Sequence, residues 1–105
     1  MLGDNIKFLR KQYNFTIREL ADNLGLNYST LGMYETGRRE PNNEILCKIA
    51  DYFDVTTDML LNREELEMHI KADYIKILKK AESLNISADE LDLLINTYLK
   101  LKGKG

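Results

Sequence analysis

The chain has 105 residues, of which 44% are apolar and 30% charged, and its net charge is −2. This size predicts one small domain with an appendage and excludes two full-sized domains. The one cysteine, Cys47, cannot form an internal disulfide, and the one histidine, His69, lacks the further ligands of a zinc site, so we expect a reducing compartment and no metal or other cofactor.

Apolar residues recur at helical spacing along almost the whole chain, and no run of β-branched residues is bounded by turn residues. This pattern predicts an all-α fold. Ile6, Leu9 and Tyr13 mark one face of a first helix, which should end near Asn14.

Capping residues divide the next stretch into two short helices. Thr16 and Glu19 have the spacing of a capping box, which predicts a helix start, and Gly25 suits the left-handed conformation that ends a helix. Asn27 is expected to cap the third helix, and Gly37 to end it in the same way. The second and third helices are therefore separated by a tight glycine turn.

A fourth helix is expected to begin after Pro41 and Asn42, and a short fifth helix to end at Leu60 and Leu61. The inward stripe of the fourth helix consists of Ile45, Leu46, Ile49, Ala50 and Phe53. Five helices in about 60 residues make one small core. Residues 1–62 are therefore predicted to form one domain.

The polar stretch 62–65 is the expected boundary, and residues 66–102 are predicted to form a helical hairpin. Asn85 separates its two helices, and Ser87 with Glu90 forms a second capping box. Two short amphipathic helices bury too little apolar area to be stable alone, so the hairpin should dock on a partner. The residues assigned to dimerisation are Ile70, Tyr74, Ile77, Leu91, Leu94, Ile95 and Tyr98.

The stretch from Thr16 to Pro41 resembles the helix-turn-helix of the Cro and phage-repressor type, the XRE family. The resemblance rests on Leu20, Ala21, Gly25, Leu31, Tyr34, Glu35, Gly37 and Pro41. It extends over residues 2–61 and implies a five-helix, lambda-repressor-like DNA-binding domain. In such a motif the second helix, here residues 27–36, lies in the major groove of double-stranded DNA with its N-terminal residues against base edges.

The outward positions of this recognition helix, together with its cap, are the candidates for base contacts. They are Asn27, Tyr28, Ser29, Gly32 and Met33. Ser29 can bond to base edges, while Tyr28 and Met33 offer apolar contact to a thymine methyl group. Gly32 costs about 1 kcal/mol relative to alanine inside a helix. It indicates either a close approach of DNA or a merely tolerated glycine.

Phosphate contacts should position the domain and supply much of its affinity. Acids outnumber bases by nine to seven among residues 1–61, so the basic side chains must share one side. The candidate phosphate contacts, from side chains or backbone amides, are Lys11, Thr16, Ile17, Arg18, Arg38, Arg39, Asn42 and Asn43. Ile17 replaces the glutamine that the family usually carries, so Lys11 and Arg18 are either compensating contacts or solvated surface bases.

The resemblance also implies a partly buried ion pair between Arg10 and Glu35, which would link the first and third helices. The alternative is direct contact of these side chains with DNA. Removing one partner of a buried ion pair leaves a charge stranded in the interior, so the pair would matter for folding. We favour this structural role.

The segment from Asp73 to Lys102 resembles the multimerisation hairpin of SinR-type repressors, without its tryptophans. This resemblance implies self-association as a homodimer or tetramer, and a small protein antagonist that pairs with the same helices. Two linked recognition helices would read half-sites about 34 Å apart on a roughly palindromic operator. The alternative is a hairpin that folds back onto its own DNA-binding domain.

The leading interpretation is a sequence-specific DNA-binding transcriptional regulator, acting as a dimeric repressor. The second is an antitoxin or adaptor whose hairpin binds a protein partner, with DNA binding secondary. An enzyme finds no support, because no nucleophile with a base, carboxylate pair or phosphate loop can be assembled. With no apolar signal core after Met1 and no apolar run of roughly 18 residues, we expect a cytoplasmic protein that does not bind membranes.

Overall fold

The computed structural model describes residues 2–104 and folds them into seven α-helices, with no strand among these residues. In chain order the helices are α1 (Leu2–Gln12), α2 (Ile17–Leu24), α3 (Tyr28–Thr36), α4 (Asn43–Tyr52), α5 (Thr57–Leu60), α6 (Arg63–Ser83) and α7 (Ala88–Lys104). The prediction of an all-α fold is confirmed. No helix in this part of the chain is both long enough and apolar enough to cross a lipid bilayer.

Residues up to Met68 form the first of two compact units, here called the head. Apolar side chains from all six of its helical segments are almost completely shielded from solvent. They are Ile6, Leu9, Leu20, Ala21, Leu24, Leu31, Ile49, Ala50, Leu60 and Leu66. Within the head, α3 packs against both α1 and α2. The third helix is therefore anchored on two sides.

The helix ends lie at the capping residues that the sequence indicates. The Thr16 hydroxyl accepts a hydrogen bond from the Glu19 amide at 3.1 Å, and the Glu19 carboxylate accepts one from the Thr16 amide at 2.9 Å. Gly25 and Gly37 have positive φ angles of 68° and 78°, which glycine adopts without the steric cost of a side chain. Asn27 caps α3. These cap predictions are confirmed.

The first helix is shorter than its apolar spacing indicates. It ends at Gln12, so Tyr13 lies outside the helix and is about half exposed. The Tyr13 ring packs against the ring of Phe53, with 5.4 Å between the centroids. Asn14 follows with a positive φ of 56°, which turns the chain toward α2. Tyr13 therefore covers the edge of the core.

A close crossing between α1 and α3 depends on Gly3, which the sequence analysis does not single out. A Cβ atom at this position would lie against the backbone carbonyl oxygen of Tyr34 and 2.7 Å from that of Glu35. A carbon atom cannot approach a carbonyl oxygen so closely without displacing the backbone. Glycine is therefore required where the two helices meet.

The polar stretch 62–65, expected to be the domain boundary, contains the start of a helix. The Asn62 side-chain oxygen accepts a hydrogen bond from the Glu65 amide at 3.2 Å, and α6 then continues without interruption to Ser83. Leu66, assigned by sequence to the hairpin, belongs to the head and is completely buried. Polar composition does not distinguish a domain boundary from a capped first turn of a helix, because both are rich in residues such as Asn and Glu.

Side chains from α1 hold the beginning of α6. The Arg63 guanidinium lies 3.9 Å from the centroid of the Phe8 ring and donates to the side-chain oxygen of Asn5 at 3.4 Å. The side-chain amide of Asn5, which is buried, donates to the Leu60 carbonyl at 2.7 Å. The first turn of α6 is therefore fastened to the head by specific contacts.

Residues from His69 onward form the second unit. It is here called the hairpin after the predicted arrangement of its two helices, although α6 and α7 are not among the closely packed helix pairs. Asn85 lies two residues after the end of α6 and has a positive φ of 58°. Ser87 and Glu90 then form a capping box with two hydrogen bonds of 3.1 Å. The hydrogen bond from the Ser87 amide lowers the pKa of the Glu90 carboxyl, and the Ser87 hydroxyl acts in the same direction. The predicted helix break at Asn85 and the predicted capping box are confirmed.

Candidate nucleic-acid interface

The third helix has one face in the core and one face toward solvent. Leu31 is completely buried and Tyr34 nearly so, and these two side chains hold α3 against the rest of the head. Tyr28, in the first turn, is 47% exposed. The candidate base-contact residues are all at least partly accessible, namely Asn27, Tyr28, Ser29, Gly32 and Met33. The helix therefore presents them together on its outer side.

Asn27 uses part of its hydrogen-bonding capacity within the chain. Its side-chain oxygen accepts a hydrogen bond from the Ser29 amide at 2.9 Å. Bidentate recognition of adenine needs both the oxygen and the nitrogen of an asparagine side chain. The cap uses one of the two lone pairs of this oxygen, so Asn27 keeps its amide nitrogen and one lone pair for a contact with a base.

Gly32 lies in open surroundings. A Cβ atom added at this position would meet no other atom within 4 Å, and the residue sits inside α3 with ordinary helical geometry. Packing within the head therefore gives no reason for glycine here. Two explanations for glycine at this position remain, namely a close approach by a binding partner and a glycine that is merely tolerated.

Arg38 and Arg39 follow the recognition helix directly. Their backbone amides donate to the Met33 carbonyl at 3.0 and 3.3 Å, which fixes the backbone after Gly37. Both side chains are exposed, and no hydrogen bond or ion pair holds either guanidinium among residues 2–104. The two cations next to the exposed end of α3 are therefore available to phosphates.

The other phosphate candidates differ in what they can offer. The capping box occupies both the hydroxyl and the amide of Thr16. The Asn42 side-chain oxygen accepts a hydrogen bond from the Ile45 amide at 2.9 Å. The remaining candidates are two exposed side chains, Lys11 and Asn43, and the half-buried Ile17. Ile17 can contribute only its backbone amide.

Arg18 reaches across from α2 to α3. The carbon of its guanidinium lies 4.1 Å from the centroid of the Tyr28 ring, in a cation–π contact. A phosphate candidate and a base candidate thus form one pair. The sequence holds no signal for this contact, since the two residues lie on different helices and only the angle between the helices decides whether they meet.

Arg10 and Glu35 form the buried pair that the resemblance implies. Arg10 donates to the two carboxylate oxygens of Glu35 at 2.7 and 3.0 Å, and to the Phe15 carbonyl at 2.9 Å. The exposed fractions of the two side chains are only 10% and 4%. With its donors enclosed, Arg10 joins α1 to α3 and is not presented to DNA.

The hairpin carries the second candidate interface. Among its described residues only Ile70 and Ala81 are buried, and Leu91 is half-buried. Large apolar side chains exposed on its two helices are Tyr74, Ile75, Ile77, Leu78, Leu84, Leu93, Leu94, Ile95, Tyr98, Leu99 and Leu101. Exposed apolar surface of this extent is typical of a protein–protein interface.

A family model, described as helix-turn-helix, matches residues 6–60. The chain belongs to the XRE family of helix-turn-helix proteins. The matched region contains most of α1 and the whole of α2 to α5, and with them every base and phosphate candidate.

Named transcriptional regulators are similar in sequence to this XRE protein. AnsR of Bacillus subtilis (strain 168), an HTH-type transcriptional regulator, is 45% identical over 62 residues, 59% of this chain and 53% of AnsR. The chain thus spans about half the length of this relative. RstR of Vibrio cholerae, a cryptic phage CTXphi transcriptional repressor, is 33% identical over 95 residues, 87% of this chain and 85% of RstR.

Two solved structures of SinR are similar in fold. SinR in complex with DNA, described as the master regulator for biofilm formation, has a TM-score of 0.55 and 32% identity, and covers 59% of this chain and 100% of that chain. A chain from the complex of SinR with SinI has a TM-score of 0.57 and 25% identity, and the match covers 100% of this chain and 100% of that chain.

Proposed function

We propose that this protein is a sequence-specific DNA-binding repressor that acts as a homodimer on a palindromic operator. The observation that supports the proposal most strongly is the outer face of α3, where accessible side chains adjoin two guanidinium groups without partners in the described chain, those of Arg38 and Arg39. A helix anchored on one side and exposed on the other can enter a major groove. The similarity to SinR bound to DNA supports the same conclusion.

The proposed interface makes two kinds of contact with DNA, one with phosphates and one with bases. Arg38, Arg39, Lys11 and the amide groups at the starts of α2 and α4 bind phosphates and set the position of the head. The base-contact residues at the N-terminal half of α3 then distinguish one sequence from another. The buried pair of Arg10 and Glu35 keeps α3 at a fixed angle to α1, so that the contacts are preorganised.

A mobility-shift titration with genomic fragments tests DNA binding. We expect a specific, salt-sensitive complex, because each phosphate contact contributes a slope of about −0.9 in log K against log salt. Replacing Arg38 and Arg39 by alanine should weaken binding and flatten this slope by about two units per head. Replacing Lys79 and Lys80 of the hairpin by alanine removes the same charge and is the matched control. Absence of any salt-sensitive specific band would refute DNA binding.

The proposed dimer forms through the hairpin, because this unit exposes apolar side chains on both of its helices. Burying this surface against a second copy removes it from water, which is favourable at about 25 cal/mol per Å² of apolar area. The two heads then meet two half-sites about one turn of DNA apart, and the linkage raises the local concentration of the second head.

Light scattering on a matched pair of variants tests this assembly. Leu94→Asp places a charge in the apolar stripe of α7, whereas Asn96→Asp adds the same charge two residues away at an exposed polar position. We expect monomers for the first variant and dimers for the second, with operator binding weakened only in the first. Dimers with undiminished operator affinity in Leu94→Asp would contradict the assembly through this stripe.

Release of the operator is proposed to involve a protein antagonist that competes for the same hairpin surface. The support is the fold similarity to the complex of SinR with SinI, which extends over the whole of this chain and the whole of the matched chain. We place the protein in the cytoplasm, where an operator is accessible. The antitoxin alternative receives less support, because the hairpin consists of capped helices with apolar surface and not of a charged tail.

A further inference from the structure

The contact between Arg18 and Tyr28 places a guanidinium beside the recognition helix. Arg18 belongs to α2, but its guanidinium carbon lies 4.1 Å from the centroid of the Tyr28 ring in the first turn of α3. Both residues are exposed. An arginine that belongs to a different helix therefore shares the surface at which the N-terminal end of α3 would meet base edges.

The contact with the Tyr28 ring leaves the donors of Arg18 without an acceptor in the described part of the chain. A guanidinium carries its five N–H groups in its own plane, so an aromatic ring against its face obstructs none of them. Among residues 2–104 no carboxylate or carbonyl accepts a hydrogen bond from the Arg18 side chain. The ring thus restricts the position of the guanidinium while its hydrogen-bonding edge remains available.

The recognition helix lacks the donor that Arg18 could supply. Its candidate base-contact positions contain neither arginine, lysine nor glutamine, and the one asparagine, Asn27, is engaged as a cap. The commonest specific contact with DNA is a bidentate pair of hydrogen bonds from an arginine to the O6 and N7 atoms of guanine. Arg18, which contacts Tyr28 at the N-terminal end of α3, is a side chain able to form such a pair.

We infer that Arg18 determines specificity by recognising a guanine in each half-site, and that Tyr28 is the positioning residue that holds its guanidinium. This inference rests on the proposed DNA-binding function, and it changes the role of Arg18 from a phosphate contact to a base contact. Tyr28 contributes through its ring, with the guanidinium stacked on the ring face. The stack also restricts the arginine side chain before binding, which reduces the entropy lost when the contact forms.

The test begins with the full chain and a pool of random duplexes, from which the preferred operator is recovered. Each guanine of a half-site is then replaced, one at a time, by 7-deazaguanine, which lacks only the N7 acceptor. For the natural protein we expect one position per half-site at which this replacement weakens binding about 10-fold. Arg18→Ala should bind the operator about 10- to 100-fold more weakly per half-site and lose its sensitivity to that replacement.

Conservative variants separate positioning from folding. Tyr28→Ala should lower the discrimination at the same guanine, by roughly two- to five-fold, because the stack on Arg18 is lost. Tyr28→Phe keeps the ring and should retain this discrimination. Arg18→Lys keeps the charge but not the planar guanidinium, and it should lose most of the discrimination at this guanine. Thermal unfolding of all variants should match that of the natural chain, since both side chains are exposed.

The outcomes distinguish this inference from the proposed function. Arg18→Ala could weaken binding to the operator and to unrelated duplexes by the same factor and lower the salt slope by about one unit per head. In that case Arg18 contacts a phosphate. That result overturns the inference and leaves DNA binding intact. If Tyr28→Ala and Tyr28→Phe discriminate equally well, the positioning role is overturned. If the natural chain enriches no operator, the proposed function itself fails.

Discussion

The head and the hairpin are both built from capped helices, but they dispose of their apolar side chains differently. In the head, leucine and isoleucine side chains from six helical segments are almost wholly buried. In the described part of the hairpin, eleven large apolar side chains are exposed and only Ile70 and Ala81 are buried. Helix formation is thus common to the two units, whereas a closed core belongs only to the head. The comparison teaches that the head is complete as a folding unit and the hairpin needs a second surface.

Removing one partner of the buried ion pair should produce the largest effect on the head. Glu35→Ala leaves the Arg10 guanidinium buried without its carboxylate, so we expect the free energy of unfolding to fall by about 3 to 5 kcal/mol in urea denaturation. Glu40→Ala, at an exposed position nearby, should change it by less than about 0.5 kcal/mol. Similar stabilities for the two variants would show that the pair is not needed for the head.

Truncation tests whether the head is complete without the hairpin. A fragment of residues 1–68 should unfold cooperatively and remain monomeric, whereas a fragment of residues 1–62 lacks Leu66 and Arg63. Losing a fully buried leucine costs about 2 to 5 kcal/mol, so the shorter fragment should melt at a clearly lower temperature. A fragment of residues 69–105 should show little helicity when dilute. Equal melting temperatures for the two head fragments would place the end of the head before α6.

Two glycines in helices of the head provide a matched comparison between its packed and its open surfaces. Gly3→Ala forces a Cβ against the backbone of α3 and should destabilise the head by about 1 to 3 kcal/mol. Gly32→Ala meets nothing within the chain and should stabilise it by about 1 kcal/mol. If DNA approaches closely at Gly32, the stabilised variant should nevertheless bind its operator more weakly. Unchanged affinity would identify Gly32 as a tolerated residue.

The smallest effect concerns the cap of the hairpin. The hydrogen bonds from Ser87 lower the pKa of Glu90 in the folded chain, so their contribution to stability is present above the ordinary value of 4.5 and is lost as the pH falls through the lowered pKa. A carboxyl titration by NMR should therefore give a pKa for Glu90 below 4.5. Ser87→Ala should return it toward the ordinary value. An unshifted pKa in the natural chain would show that the cap is frayed in solution.

Local signals in the sequence predict most of the helix ends. The capping boxes at Thr16 and Ser87 and the glycines at the ends of α2 and α3 act within a few residues, and the structure places each where the spacing indicates. The beginning of α6 is the instructive exception. Its start is polar because helix N-termini favour an Asn cap and acidic residues such as Glu64 and Glu65, and only the burial of Leu66 shows that it belongs to the head.

The sequence also predicts the candidate site in outline, and several of its contacts lie beyond such prediction. The outward positions of α3 follow from helical periodicity once Leu31 and Tyr34 are assigned to the core. The contact of Arg18 with Tyr28 and the crowding at Gly3 follow from distances between atoms. These depend on how helices cross, and crossing angles are not encoded in local spacing.

Taken alone, the amino-acid order determined that the chain is helical, where most of its helices start and stop, and which of them resembles a recognition helix, because propensity, capping and periodicity are local properties. Tertiary packing decided where the head ends, which glycine is irreplaceable and which arginine stands beside the recognition helix. Those outcomes depend on side chains that are distant in sequence meeting in space, as Asn5 meets Leu60 and Arg10 meets Glu35.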